Sequence, residues 1–438
     1  MIYSSSSTST SSWLPSLSHL YGKQLFWIII SLSSLLATLL IPFTFWRNFS
    51  FVIYFLSILL LIAVLIFGKE IKGAQSWFSL GDFTFQPAEF AKMATALALA
   101  AFTASTNFKI SDRQSLGTGI LLFLVPGALI LLQPDAGSTL VFMSFFILLY
   151  RLGLWHGYYI ILFSALALFI LSTVYGPSFV ILVLLILASI FLFYNLHLAS
   201  VMYLLIFVAC LISSVIISDL YDRRIWAMIL NGLVFFTLSS ITLLHKKFNI
   251  IGIVTPLVVG GALFTYSTNF IINNFMEAHQ RERINVWLQP SKCDPRGSLY
   301  NVIQSKVAIG SGGFYGKGFS EGSMTKLNYV PEQSTDFIFC TVGEEQGFLG
   351  VLALLVLYAV FIGRIFILSE DSRKPFIKNY GYALGGILFV HYSINIGMTM
   401  GLVPIIGIPL PLLSYGGSSL IFFSLMIGIF LRLQLDDR

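Results

Sequence analysis

The sequence predicts an all-α polytopic integral membrane protein, from its composition, the length of its apolar runs and the placing of its few charges. Of its 438 residues 57% are hydrophobic and 10% charged, where soluble domains run at roughly 45–50% apolar and about 25% charged. Mean hydropathy is +0.88. A membrane-crossing helix takes about 20 predominantly apolar residues, and most of the chain divides into such runs. Soluble-enzyme, disordered, collagenous and disulfide-scaffold classes are thereby excluded.

In chain order, residues 1–23 form an extracytoplasmic N-terminal segment. Its serine and threonine run from Ser4 to Ser12 lacks a basic stretch followed by an apolar one, so it is not a signal peptide and reads as an exposed, mobile terminus. Spans are expected near 24–46, 50–67, 87–105, 116–133 and 137–152, then near 155–174, 177–195, 198–217, 224–244 and 248–268. After a polar stretch at 269–346 come spans near 347–369, 378–400 and 404–433, which makes about thirteen helices and one large loop. No internal repeat is visible, inverted or direct.

Orientation follows from parity. With the N-terminus outside, the cytoplasmic connections hold Arg47, Lys109, Arg113, Arg151, Lys246, Lys247, Arg373, Lys374, Lys378, Arg432 and Arg438, while the short outer loops hold Lys23, Lys69, Lys72, Arg223 and Arg224. The excess of basic residues inside favours this arrangement and places 269–346 on the extracytoplasmic side. The net charge of +6 therefore reports orientation and not nucleic-acid binding. Trp27, Trp46, Trp77, Trp155 and Trp226 stand near span ends and read as interfacial anchors.

Cys210, Cys293 and Cys340 are neither paired nor at metal-ligand spacing, and the six histidines form no His-x-x-x-His face. The sequence thus supports no disulfide framework, no zinc site and no catalytic transition metal. It calls for no resident cofactor and leaves room for a divalent cation such as Mg2+.

The loop 269–346 holds 8 of the 19 acidic and 7 of the 25 basic residues, so chemistry is expected there. Its centre, Cys293-Asp294-Pro295-Arg296-Gly297, has the Asp-Pro-x-Gly order of a type I turn; on residues alone, a turn is the plainer reading of Asp294 than a catalyst. Gly310-Ser311-Gly312-Gly313-Phe314-Tyr315-Gly316-Lys317-Gly318 fails both nucleotide-loop templates. Its glycines let backbone approach something closely, either a phosphate held by amides and Lys317 or another loop. Within the membrane, Gln86-Pro87-Ala88-Glu89-Phe90-Ala91-Lys92 puts Pro87 in a helix's first turn, with Glu89 and Lys92 one turn apart on one face. Buried charges are costly and mark function, although a self-neutralising packing pair is the alternative. Asp135 of Gln133-Pro134-Asp135 reads as a helix cap. Arg281 and Arg283 flank the loop's start, where they meet anionic headgroups or are simply solvated.

Together these residues resemble the SEDS family (shape, elongation, division and sporulation), which includes RodA, FtsW and SpoVE. The resemblance rests on Gly73-Ala74-Gln75-Ser76-Trp77, the blocks at 86–92 and 133–137, Asp294-Pro295, Gln304-Ser305 and Ala308-Ile309-Gly310-Ser311-Gly312-Gly313. It continues in Pro331-Glu332, Thr335-Asp336-Phe337-Ile338-Phe339, Glu344-Glu345 and Pro409-Leu410-Pro411-Leu412-Leu413-Ser414-Tyr415-Gly416-Gly417-Ser418. It covers 20–152 and 280–433, and the 309–313 and 409–412 forms look more like the RodA branch than the FtsW branch. Two departures stand out: the family's usual first helix looks missing, with Ile2-Tyr3-Ser4 resembling its end, and about 95 extra residues between Asp135 and Arg281 suffice for about four inserted helices. On this pattern 24–152 and 347–438 are core helices, 153–268 contains the insertion and 269–346 is the catalytic loop. Ser76 stands where the family often has arginine.

The resemblance implies a peptidoglycan glycosyltransferase in the bacterial inner membrane, polymerising lipid II during elongation and cell-shape maintenance. The family's essential loop aspartate maps onto Asp294 as general base, and its partners in the membrane cavity map onto Glu89 and Lys92. Gln86, Arg281, Arg283, Gln304, Ser305, Lys317, Glu332 and Asp336 are expected around the substrate, as pyrophosphate or headgroup contacts and as loop organisers. Implied partners are lipid II, membrane lipid, a class B penicillin-binding transpeptidase and an elongation complex with an MreB-type cytoskeleton, and no nucleic acid. The competing expectations are a lipid II flippase, a non-enzymatic scaffold and an FtsW-like division polymerase; against transport, no repeated halves surround a midplane site.

Overall fold

In the computed structural model the described residues are 2–6, 20–71, 73–80, 83–196, 208–209, 212–213, 224–276, 278–294, 297–327 and 329–437. The serine and threonine run beyond Ser6, most of the span expected at 198–217 with Cys210, and Pro295 with Arg296 lie outside them. The chain forms two compact units, residues 1–154 with 294–438, and residues 155–293.

In the first unit the helices are α1 (Ile2–Ser6), α2 (Leu20–Leu40), α3 (Phe43–Asn48), α4 (Ser50–Phe67), α5 (Pro87–Thr103), α6 (Arg113–Leu131), α7 (Ala136–Phe142) and α8 (Phe145–Arg151). An antiparallel meander of β1 (Lys69–Ile71), β2 (Ala74–Leu80) and β3 (Phe83–Phe85) joins α4 to α5, with Lys69 opposite Trp77 and Phe78 opposite Phe85. The sequence reading did not anticipate this sheet, two of whose three strands, β1 and β3, are only three residues long.

The second unit holds α9 (His156–Tyr175), α10 (Pro177–Leu196), α11 (Arg224–Leu244), α12 (Phe248–Asn274), α13 (Ala278–Leu288) and a 3-10 turn at Pro290–Lys292. Its core is a cluster around Leu192, Leu196, Leu238, Val254 and Val258. The first unit resumes with α14 (Ser298–Ser311), α15 (Ser323–Lys326), α16 (Ile338–Asp371), α17 (Pro375–Thr399) and α18 (Gly417–Leu435).

The fold is all-α and polytopic. Among the described residues nine helices are long and apolar enough to cross a membrane, with Ala136–Arg151 a shorter apolar stretch. The expected count of about thirteen is not reproduced on that criterion. Neither α5, which is 17 residues long, nor α17, which spends helix surface on small and polar residues, is among the nine. On α5, Ala88, Ala91, Ala94, Ala96, Ala98 and Ala100 are all fully buried, so α4, α6 and α17 pack closely around it. Small residues likewise admit α2 against α18, where a Cβ on Gly428 would sit 2.1 Å from Thr38 Oγ1.

Element ends differ from the sequence reading for local reasons. The last helix starts at Gly417 and not near 404, because Pro404, Pro409 and Pro411 supply no amide donors and Gly401 and Gly407 take φ of 72° and 77°. Helix α16 starts at Ile338, ahead of the apolar run, and continues across a kink at Gly347 (φ 62°, ψ −160°). Trp46 is buried, edge-on to Phe45 at 5.3 Å, and so is not an interfacial anchor, whereas Trp155 and Trp226 are exposed.

Candidate active site

The first turns of α5 carry two buried charges, Glu89 (2% exposed) and Lys92 (1%). Pro87 at the helix start costs no hydrogen bond there, and the i, i+3 spacing brings Lys92 Nζ to 2.8 Å from Glu89 Oε1. A third group completes the arrangement: Lys92 Nζ lies 2.9 Å from His391 Nε2 on α17. His391 Nδ1 lies 3.1 Å from the Pro409 carbonyl, which can only accept. The imidazole is therefore the neutral Nδ1–H tautomer, its Nε2 lone pair accepting a hydrogen bond from the ammonium. The Phe423 ring closes the pocket, 5.6 Å from Lys92 Nζ and edge-on to His391. Glu89 Oε2 and the neighbouring Thr95 Oγ1 are buried without a protein partner.

One turn further along α17, Asn395 Nδ2 donates to the carbonyls of Asp336 (2.9 Å) and Ile408 (2.7 Å). The segment 409–418 works as a strap. Ser414 Oγ donates to Thr335 O at 2.6 Å and receives Leu410 N at 2.8 Å, Tyr415 N donates to Ser334 O at 2.8 Å, and Ser418 Oγ donates to Thr84 O at 3.0 Å. The Pro411 carbonyl accepts from the Tyr358 hydroxyl, and burial raises the Tyr415 hydroxyl above its usual range. The loop residues 332–336 are thereby tied by short bonds to the helix that holds His391.

In the loop, Asp294 is exposed, and its carbonyl accepts from Gly297 N at 3.1 Å; the two residues between them, Pro295 and Arg296, lie outside the described residues. Glu332 takes a φ of 56°, with its carbonyl receiving Thr335 N and Phe337 N and its carboxylate receiving Thr335 Oγ1 at 3.2 Å. On α14, Ser305 is buried and donates to Thr399 O at 3.0 Å, while Gln304 is half-buried. Gln86 Nε2 donates to Asp135 Oδ2 at 2.9 Å, and Asp135 caps α7 by accepting from Ser138 N at 2.9 Å.

The glycine-rich stretch meets protein backbone. Lys317 N and Gly318 N donate to the carbonyls of Glu344 and Glu345, while Phe348 N and Leu349 N donate back to those of Gly313 and Phe314, at 2.9–3.2 Å. A Cβ on Gly312 would stand 2.0 Å from Gly343 O, and one on Gly316 2.1 Å from Glu345 O. Sequence reasoning missed the organiser of this interlock, Glu344. It is fully buried, pairs with Lys317 Nζ at 2.7 Å and accepts from Met324 N, Thr325 N and Thr325 Oγ1 at 2.7–2.9 Å. The available signal was a pair of adjacent glutamates abutting an apolar run.

In the second unit, Arg281 is half-buried and donates through Nη2 to the carbonyls of Asn273 (2.7 Å) and Met276 (3.4 Å), tying down the end of α12. Arg283 is half-buried on α13. Burial first and Glu282 second push the Cys293 thiol above its ordinary range. Among the described residues, no three or more His, Cys, Asp or Glu gather as a metal site.

Fold and site together define a multi-pass helical membrane protein with a buried ion pair at the head of one central helix and a laced loop beyond it. The chain belongs to the FtsW/RodA/SpoVE family, described as cell cycle proteins, whose model matches residues 1–185 and 178–438. It is 31% identical over 384 residues to the peptidoglycan glycosyltransferase MrdB of Escherichia coli strain K12, covering 87% of this chain and 76% of that protein. To the peptidoglycan glycosyltransferase RodA of Treponema pallidum it is 30% identical, covering 95% and 90%. Two solved structures share the fold. One belongs to a peptidoglycan synthase complex that coordinates polymerization and crosslinking, with TM-score 0.62, 23% identity and coverage of 95% and 90%. The other is the rod shape determining protein RodA of Thermus thermophilus, with TM-score 0.55, 22% identity and coverage of 100% and 91%.

Proposed function

We propose that this chain is a peptidoglycan glycosyltransferase that polymerises lipid II in a bacterial inner membrane, in the service of cell elongation and shape. The observation that carries this reading is the buried Glu89–Lys92–His391 cluster at the head of α5, connected through Asn395 and the 409–418 strap to the loop. By the charge bias α5 enters from the outer face, and at 1.5 Å per residue Lys92 lies about 7–8 Å below Pro87. That is the depth of lipid headgroups, where the pyrophosphate of a polyprenyl-linked sugar sits.

The reaction joins an acceptor GlcNAc 4-hydroxyl to the donor MurNAc anomeric carbon. The C–O bond to pyrophosphate breaks, and the hydroxyl proton must go to a base. Pyrophosphate is already a good leaving group and needs positive charge more than a general acid. Asp294, exposed and with its carbonyl bonded to Gly297 N, takes the proton. Lys92 supplies buried positive charge whose geometry Glu89 and His391 fix, and Lys317 adds a cation in the loop. Gln86, Gln304, Ser305, Glu332 and Asp336 hold the frame in which these groups meet substrate. A class B penicillin-binding transpeptidase, within an elongation complex guided by an MreB-type cytoskeleton, crosslinks the emerging strand.

The test is to incubate purified protein, alone and with its transpeptidase, with lipid II in liposomes, and to resolve lysozyme-sensitive glycan on a gel. Wild type should give polymer and Asp294→Asn none. Equal polymer from Asp294→Asn would reduce Asp294 to a turn residue, and no polymer from either would favour a flippase or a scaffold. Titrating EDTA against Mg2+ in the same assay reads whether a divalent cation accompanies the pyrophosphate.

A further inference from the structure

The second unit carries a cavity of about 490 Å3 that the reaction above does not use, bounded by the ends of α9 and α12, by α13 and by the 3-10 turn. Its lining includes four residues with side-chain amides, Asn269, Asn273, Asn285 and Gln289, together with Tyr175 and Lys292, and among the described residues no Asp or Glu. Two amides already spend donors on protein. Asn273 Nδ2 bonds Asn269 Oδ1 at 2.6 Å, and Gln289 Nε2 bonds the Thr173 carbonyl and, at 3.4 Å, that of Val174. These bonds hold the amides in place while leaving each a second polar atom, since an amide offers both donors and an acceptor.

We propose that this cavity is a binding site for N-acetylated glycan, seating a short segment of the growing strand; this rests on the polymerase reading. The lining selects by chemistry. Sugar hydroxyls donate and accept at once, as side-chain amides do, and an acetamido group pairs with an amide of its own kind. A lactyl carboxylate meets Lys292, the cation of the lining. Tyr175, 54% exposed, offers a ring with one apolar face and one polar tip, suited to the apolar face of a sugar. An acyl tail would strand the amides unpaired. The volume lies within the roughly 300–1,000 Å3 of ligand pockets, enough for a short segment and not a whole strand. The charge bias also places these ends of α9 and α12 on the face where the loop lies.

The experiment measures binding of a peptide-free (GlcNAc–MurNAc)4 strand to the full chain in detergent by titration calorimetry, for wild type, Asn285→Ala, Lys292→Gln and Asp294→Asn. Wild type and Asp294→Asn should bind alike, and each cavity variant should bind tenfold or more weakly with an unchanged melting temperature. With lipid II, the cavity variants should start polymer at the wild-type rate and release shorter strands. Absence of strand binding by wild type, binding that both cavity variants retain, or preference for the isolated stem peptide would overturn the proposal. Polymer from wild type in any of those cases would leave the polymerase reading standing, so the two failures are distinguishable.

Discussion

Lys92 is the residue on which the buried cluster turns, since it neutralises Glu89 and fills the lone pair of His391 at once. Removing only the cation leaves a carboxylate uncompensated in a dry interior, so Lys92→Met should destabilise the protein by about 3–5 kcal/mol. Replacing both partners with apolar residues, Glu89→Leu with Lys92→Met, should return most of that stability while polymer formation stays absent. Thermal unfolding and the lipid II assay, run side by side on the three proteins, check this; an active double variant would show the pair to be packing alone. Cys293 offers a second check in the loop. Its thiol is pushed up by burial and then by Glu282, and only the thiolate reacts. With Cys210 and Cys340 replaced by serine, maleimide labelling of Cys293 should be slow at neutral pH and rise with pH through a range above that of a free thiol. Glu282→Gln should shift that profile to lower pH. The Glu89–Lys92 pair was legible because i, i+3 spacing is local. His391 was not, because 299 residues separate it from Lys92 and no sequence period links them.

At the level of elements, the loop depends on where helices begin and on which residues let backbones touch. Asp135 starts α7 and also receives Gln86 from the head of α5, so Asp135→Ala should cost about 1 kcal/mol for the cap and lower activity by loosening Gln86; thermal unfolding and initial rates read the two effects. Gly347 carries the kink of α16 at a φ of 62°, and a Cβ there would lie 2.2 Å from Gly316 N. Gly347→Ala should therefore cost about 1–3 kcal/mol of backbone strain and part the glycine-rich stretch from α16. Faster proteolysis between residues 310 and 320 would report the parting, and unchanged cleavage would count against the interlock. Helices showed in the sequence as runs of about 20 apolar residues, and the caps at Asp135 and Pro87 followed from residue type. The sheet at 69–85, the early start of α16 and the late start of α18 did not: two of the sheet's strands are three residues long, and the two helix starts turn on backbone features, the kink at Gly347 and the proline- and glycine-rich run 401–411, that an apolar run does not show. The same holds for the glycines of 310–318. Composition said only that backbone approaches something there, and the partner, the backbone of 343–349, lies beyond an intervening loop.

Across the whole molecule, the side on which the loop lies is a matter of parity, and parity rests on whether the chain crosses at 198–217. Helix α9 ends and α10 begins at one face, separated only by Gly176. Counting from an outside N-terminus, α10 returns the chain to the cytoplasm near Leu196. If 198–217 crosses, as its apolar composition predicts, α11 comes back inward. Lys246 then lies inside, α12 runs outward, and the loop with Asp294 faces the side where lipid-linked sugars are joined. If it does not cross, Lys246 lies outside and everything after α12 inverts, putting Arg373, Lys374 and Lys378 on the outer face against the positive-inside bias. Single cysteines in a cysteine-free background decide between these arrangements. Tyr315→Cys, at a position 79% exposed, should react with a membrane-impermeant maleimide in intact cells, whereas Lys246→Cys and Arg373→Cys should react only after permeabilisation. The reverse pattern would place Asp294 in the cytoplasm, away from any exported acceptor strand, and an extracytoplasmic polymerase would be ruled out by topology before any question of chemistry arose.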